Sequence, residues 1–352
     1  MKKIAIATYI NDLNYGALLQ AYSLGIYFKN HSFDVYYVNP SIGGKTIESI
    51  PDRLLKKLFY YIVAKKRITK KRTALNSFLN SNFSIISESD FEKDIDEFTA
   101  LVCGSDQIWN IEITDGFNKV FFANYDVFSF AYSASVGNIS IVKENEEQYR
   151  KKLKNFAFIS TREQNLSEYI NNEMGLNAIH TCDPVFLADN TLSMTPATCR
   201  LIKSKYIFVY TMNKNKNIIR IAREMSKKLK LPVIMLNNNL YSYSYNGFKT
   251  VYALTIEEFI SMICNAEYVI TNSFHGTSLS LIFEKQFFAV KNVDRNDRIL
   301  DLLNNLELSD RFIESEKDVN FDMIDYCEVR KKKNTFVNQS KDYLNRCLEA
   351  MK

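Results

Sequence analysis

An α/β protein of two Rossmann-like halves facing a cleft is the fold class the sequence predicts. Three observations carry it. Apolar runs of strand length alternate with stretches of helical period along most of the chain, the pattern of a parallel sheet covered by helices. At 352 residues the chain exceeds the commonest single-core size, and 46% hydrophobic residues, with 25 Phe and 21 Tyr, can fill two cores. The alternation breaks once, near residues 183–205, where two of the five prolines fall. The boundary is drawn there. It gives an N-terminal domain over 1–190, carrying a basic helix at 51–72, and a C-terminal domain over 191–352 that ends in a helix.

The elements follow in order. "KKIAIATYI" reads as a buried strand and "YGALLQAYSLGIYFKN", after the polar turn "NDLN", as a helix. "FDVYYVNP" is a second strand, ended by Pro40. The basic segment has apolar residues at 54, 55, 58 and 62 with polar ones between, which suits an amphipathic helix. "FTALVCGSD" and "VFSFAYSASVG" are strands, and "FAFISTREQNLSEYI" is a strand or turn leading into a helix. Past the break come strand "YIFVYTM", helix "NIIRIAREMSKKLK", strand "LPVIMLN" and a Tyr/Asn-rich loop at 236–248. Helix "TIEEFISMICNA", strand "EYVITNS", helix "TSLSLIFEK" and strand "QFFAVKN" follow, and "TFVNQSKDYLNRCLEAMK" is the last helix. In such sheets ligands gather at the carboxyl ends of the strands.

Composition narrows the class. The six cysteines are scattered, without the CxxC or Cys/His spacing of a zinc site. The N-terminus reads as a strand rather than a cleavable leader, and no apolar run approaches the ~18 residues of a membrane span. A reduced, cytoplasmic, soluble protein is expected. Residues 53–72 hold nine Lys/Arg and no acid, so the formal charge of +5 leaves +5 − 9 = −4 for the rest of the chain. That distribution argues against a nucleic-acid partner.

Four polar clusters stand where the carboxyl-end rule wants chemistry. After the first strand, Asn14, Tyr15 and Gly16 open a helix whose free N–H groups suit an anion or a sugar hydroxyl, or else Asn14 is a plain helix cap. In "CGSDQIWN", Asp106 can act as a base or bind a hydroxyl, with Ser105 and Gln107 beside it and Trp109 as a platform for a sugar face. The bland alternative has Ser105 and Asp106 capping a helix while Trp109 fills the core. Arg162 with Glu163 in "STREQNL" is either functional or a surface ion pair. In "TNSFHGT", His275 sits at a strand end beside Gly276, flanked by Ser273 and Thr277, and is either a satisfied core residue or a reactive one.

Taken together, "NYGALLQAYSL", "VCGSDQIWN", "YSASVG", "REQ", "CDPVFL", "ITNSFHGTSLSLIFEK" and "NDRILDLLNNL" occur in an order that resembles the polysaccharide pyruvyl transferase family, over about residues 4–345. The resemblance implies a fold like that of the GT-B glycosyltransferases. It also implies transfer of a pyruvyl group from phosphoenolpyruvate onto a glycan of a bacterial exopolysaccharide or capsule, typically as a cyclic ketal bridging two hydroxyls. The family's histidine falls on His275 and its arginine on Arg162. Its donor-gripping basic residue falls on Arg295, with Arg298 the other candidate and Lys291 a third.

Those residue types suit the chemistry. Two arginines can bind the carboxylate and phosphate of phosphoenolpyruvate in bidentate fashion. His275 is the natural proton donor, with Asp106 as base and Ser273 near the donor. Phosphoenolpyruvate is the co-substrate, and no cofactor or metal is called for. The basic segment 53–72 either holds the enzyme peripherally at an anionic inner membrane leaflet or is a solvated helix packed on its domain. Two alternatives stay open: a GT-B-type glycosyltransferase using a nucleotide sugar, and an inactive glycan-binding assembly factor.

Overall fold

The computed structural model of the protein describes residues 2–10, 14–40, 63–114, 116–188, 192, 200–212, 215–237, 247–292 and 296–351. Arg295, residues 53–62 of the basic segment and residues 238–246 of the Tyr/Asn-rich loop lie outside the described residues.

The first part of the chain runs β1 (Lys2–Ala7), α1 (Tyr15–Asn30), β2 (Phe33–Asn39), α2 (Lys65–Asn82), β3 (Ser84–Ser87), β4 (Phe98–Cys103), β5 (Ser129–Ala131), β6 (Ile159–Thr161), α3 (Gln164–Asn172) and β7 (Ala178–His180). After residue 200 come β8 (Ile207–Thr211), α4 (Lys216–Leu229), β9 (Val233–Asn237), β10 (Lys249–Val251), α5 (Ile256–Cys264) and β11 (Tyr268–Thr271). Helix α6 (Phe274–Ile282), β12 (Gln286–Val290), α7 (Asp297–Asn305), β13 (Phe312–Ile313) and α8 (Tyr326–Ala350) complete the order.

The chain forms two compact units: Met1–Gly43 with Asn80–Ala188 and Glu328–Lys352, and Gly44–Leu79 with Asp189–Cys327. The sequence reading drew one cut at 190/191, so two segments change sides. The last helix groups with the first unit because its apolar stripe is buried there: Tyr343 donates to the Ala131 carbonyl (2.6 Å), and Ser340 Oγ accepts the Cys182 N–H (2.8 Å). The described basic residues up to Leu79 group with the second unit, where the Arg67 guanidinium lies 3.5 Å from the Tyr252 ring centroid.

In the first unit the sheet order is β3-β2-β1-β4-β5, every pairing parallel. Bridges Phe130↔Phe158 and Ala134↔Thr161 carry it on to the β6-β7 pair. Strands β1 and β4 are buried on both faces, as the near-continuous apolar runs "IAIA" and "ALVC" require. In the second unit the order is β10-β9-β8-β11-β12-β13, again parallel. Helix α4 covers one of its faces with Ile218, Ile221, Ala222 and Met225, spaced i, i+3, i+4, i+7. Truncating one such buried Ile to Ala costs about 2–5 kcal/mol.

Each order reverses direction once. Between β1 and β4, and again between β8 and β11, the chain leaves neighbouring strands toward opposite sides, and the crevice at the carboxyl ends there is where doubly wound sheets take ligands.

Candidate active site

At the carboxyl end of β1 and β4 the first unit gathers Thr8, Gln20, Ser105 and Asp106. Ser105 is fully buried and held from four sides. Its carbonyl accepts from Thr8 Oγ1 (2.8 Å), its N–H reaches Gln20 Oε1 (3.3 Å), and its hydroxyl donates to the Ser133 carbonyl (2.8 Å) and accepts from Arg162 Nη2. Gly104 makes the turn possible: at φ +126° a Cβ would stand 2.2 Å from the Tyr132 carbonyl oxygen. Asp106 follows at φ 73°, a left-handed conformation that Asp tolerates better than most residues. Its Oδ1 accepts the Gln107 N–H (2.9 Å).

Along the same edge the strands deliver further groups: Ser135 past β5, Arg162 and Glu163 past β6, and Asp183 past β7. Arg162 Nη2 lies 2.7 Å from Asp183 Oδ2, and Nη1 lies 3.5 Å from Asp106 Oδ1. Glu163 Oε1 accepts from the Ser135 hydroxyl and from the Gly137 N–H (3.0 Å), which ties the "SASVG" turn to the start of α3. His180 donates from Nε2 to the Arg162 carbonyl (3.1 Å), and burial pushes its pKa down to about 4, so it is a neutral brace at physiological pH.

Arg162 is therefore no surface ion pair. Its side chain is 1% exposed, against 0% for Asp183 and 13% for Asp106, so Asp106 is the accessible member of the array. One guanidinium between two carboxylates gives the trio a net charge of about −1 when all are ionised.

Other residues singled out in this unit are structural. Trp109 is 1% exposed, donates its indole N–H to the Phe121 carbonyl (3.0 Å) and stacks near Phe122, so it fills the core and offers no face to a sugar. Asn14 caps α1 by accepting from the N–H groups of Gly16 (3.0 Å) and Ala17 (3.4 Å). Tyr15 and Gly16 are buried in that first turn. Gln107 Oε1 accepts from Asn110 Nδ2 (3.2 Å). The capping alternative holds for Asn14 and the core alternative for Trp109, whereas no helix follows Ser105 and Asp106 for them to cap, and the enclosure of Ser105 leaves it no free hydroxyl edge for an acceptor.

In the second unit, helix α6 begins at Phe274, three residues before the predicted start at Thr277. Ser273 is the reason: its Oγ accepts the Gly276 N–H (3.3 Å), and its carbonyl receives the Thr277 N–H (3.0 Å). His275 and Gly276 therefore lie inside the first turn, at the positive end of the helix dipole and beside the β8/β11 crevice. His275 is 6% exposed and Ser273 5%. Behind them Asn272 Oδ1 accepts the Met212 N–H (2.9 Å) and its Nδ2 donates to Asn292 Oδ1 (2.7 Å), which links the ends of β8, β11 and β12. Arg298 lies 5.7 Å from the Phe274 ring centroid, on the ring that precedes His275. Lys291 forms an exposed ion pair with Glu314 (3.4 Å). Asp183 and the Asn272–Asn292 pair escape the sequence reading, although "CDP" at a strand end and the recurring Asn are visible.

Two parallel-sheet units, each with a polar cluster at the point where its strand order reverses, define a GT-B-like protein. The fold is similar to that of the UDP-GlcNAc 2-epimerase of Methanocaldococcus jannaschii in complex with UDP-GlcNAc and UDP, with TM-score 0.55, 11% identity, and 99% of this chain and 100% of that one covered. It is also similar to the UDP-GlcNAc 2-epimerase of Neisseria meningitidis bound to UDP-GlcNAc, with TM-score 0.52, 10% identity and coverage of 99% and 100%. At such identity the likeness carries the fold alone. The model of the polysaccharide pyruvyl transferase family matches residues 14–295, and the chain belongs to that family. No protein of curated function matches it in sequence.

Proposed function

We propose that the protein transfers the pyruvyl group of phosphoenolpyruvate onto a sugar of a bacterial surface polysaccharide, or of its lipid- or nucleotide-linked precursor, and closes a pyruvate ketal with release of phosphate. Membership of the family supports the reaction class. The observation that carries the residue assignment is His275 in the first turn of α6, at the kind of crevice where doubly wound sheets take ligands.

A trianionic donor suits the positive end of α6 with Arg298 half-buried beside it. His275 donates a proton to the methylene carbon of phosphoenolpyruvate, leaving an oxocarbenium-like centre at C2. One sugar hydroxyl adds there and loses its proton. Phosphate departs with the C–O bonding pair, and a second hydroxyl adds and loses its proton. Of the two hydroxyl protons released, one balances that taken up at carbon and the other leaves with phosphate. Asp106, the accessible carboxylate of its array, serves as base toward the acceptor, with the Arg162 guanidinium 3.5 Å away.

The nucleotide-sugar alternative draws on the shared fold and on no residue described above. Incubation with phosphoenolpyruvate and candidate sugar acceptors decides between them. Acceptor-dependent phosphate release supports the proposal, and release of UDP from UDP-sugars without phosphate from phosphoenolpyruvate overturns it.

The partner surface is part of the same proposal. On α2 the basic residues Lys65, Lys66, Lys70 and Arg72 are exposed, no acid occurs on the helix, and Ile68, Leu75 and Leu79 face inward. Such a face suits peripheral contact with an anionic lipid leaflet that carries a lipid-linked acceptor. Among the described residues no helix is long and apolar enough to cross a membrane.

A further inference from the structure

We propose that Asp183 is a positioning residue: it fixes the orientation of the Arg162 guanidinium and, through it, the carboxylate of Asp106. The inference rests on the proposed function only in taking Arg162 and Asp106 to serve the substrates.

Asp183 is an anchored acceptor. It stands at the end of the short stretch after β7, Pro184 follows it, and its Oδ1 takes the Val185 N–H (3.0 Å) as the cap of the turn Pro184–Phe186. With one oxygen committed to the backbone, the other has a fixed direction, and that oxygen meets Arg162 Nη2 at 2.7 Å. An ion pair with an immobile carboxylate favours one placement of a guanidinium. The hydrogen bond of that Nη2 goes to Ser105 Oγ, itself locked on the Ser133 carbonyl. Two rigid partners thus pin one corner of the fork, and the other corner, Nη1, is presented to Asp106 at a looser 3.5 Å.

Stability alone does not account for the arrangement. Ion pairs inside proteins commonly add little over an apolar replacement, because desolvation offsets their attraction. What this pair supplies is direction, at the one edge of the sheet where Asp106 is reachable.

The experiment reads Arg162 directly. In the wild-type protein, 15N NMR of the arginine side chains should show the two Arg162 Nη groups as separate, slowly exchanging signals, assigned by their absence in Arg162→Lys. In Asp183→Asn the charge is gone at nearly constant volume, and those signals should merge. Freely rotating Nη groups in the wild type, or unchanged signals in a folded Asp183→Asn, overturn the proposal, and the wild-type arm stands even if the variant does not fold. Kinetics supply the second arm. Asp183→Asn should lower kcat/KM for phosphoenolpyruvate-dependent phosphate release by about tenfold or more. The double variant Asp183→Asn/Arg162→Lys should be no worse than Arg162→Lys alone, because a residue acting through Arg162 loses its effect once Arg162 is altered. Losses that multiply overturn it. If the wild type releases no phosphate from phosphoenolpyruvate with any acceptor, the functional reading falls while the NMR arm still decides the positioning.

Discussion

A Cβ on Gly276 would stand 2.4 Å from Thr271 Oγ1 and 3.0 Å from Tyr210 Cδ1, so the first turn of α6 touches the end of β11 through bare backbone. Thr271 cannot yield easily, since its Oγ1 also accepts the Ser273 N–H (3.0 Å). Gly276→Ala is expected to push the helix start outward, cost about 1–3 kcal/mol in urea unfolding, and displace His275. Phosphate release should fall far more than stability does, and an Ala variant with full activity would contradict the placement.

His275→Ala removes the proposed proton donor from a helix whose cap is Ser273. The variant should keep its far-UV circular dichroism and lose about 10²- to 10⁴-fold in turnover. Arg298→Ala is expected instead to raise KM for phosphoenolpyruvate, with a smaller change in kcat.

His180 gives stability a pH dependence of definite sign. Its pKa is about 4 in the folded state, below the ordinary histidine value of 6.5, so the unfolded chain binds the extra proton between those values. This contribution is complete above pH 6.5 and is lost as pH falls toward 4, on the order of 3 kcal/mol. Comparison of chemical unfolding at pH 7 and 5 for wild type and His180→Gln checks it, with the variant expected to show the shallower decline.

Trp109→Phe tests the core assignment. The Phe121 carbonyl loses its indole donor, so stability should fall by about 1–3 kcal/mol, with KM for the sugar acceptor unchanged. A selective rise in that KM would restore Trp109 to the acceptor site.

Reversal of Lys65, Lys66, Lys70 and Arg72 to Glu leaves the inward stripe of α2 intact. Sedimentation with anionic vesicles at low salt should weaken by at least the ~1 kcal/mol per basic residue that such surfaces contribute. Binding equal to wild type would remove the lipid surface as a partner.

What the sequence made legible follows from signal length. Helix α1 and strand β2 coincide with the runs that predict them, because sixteen residues of helical pattern and a Pro-terminated apolar run have few other readings. Strands β7 and β10 have three residues each and β13 has two, and their partly exposed patterns offer no period to detect. The start of α6 is hidden in the sequence because Ser273, Phe274 and His275 read as a polar turn, whereas a Ser cap makes them the opening of a helix. For the proposed site, the strand-end rule singles out Asp106, Arg162 and His275. It does not reveal that Asp183, in the turn that follows β7, is the partner of Arg162. Pairing across a sheet edge depends on strand order, which one sequence does not state.

The return of the last helix to the first unit bears on how the protein is made. The second unit is complete in the chain at Cys327, while the first still lacks Tyr343, Leu344 and Cys347, all at most 1% exposed in its packing. During synthesis the later-encoded unit can therefore close before the earlier one, reversing the usual N-terminal-first order. Until α8 emerges, the Ala131 carbonyl lacks its Tyr343 donor. A stop codon near residue 327 is thus a lesion of the half that holds Asp106 and Arg162, although every residue of that cluster has already been translated.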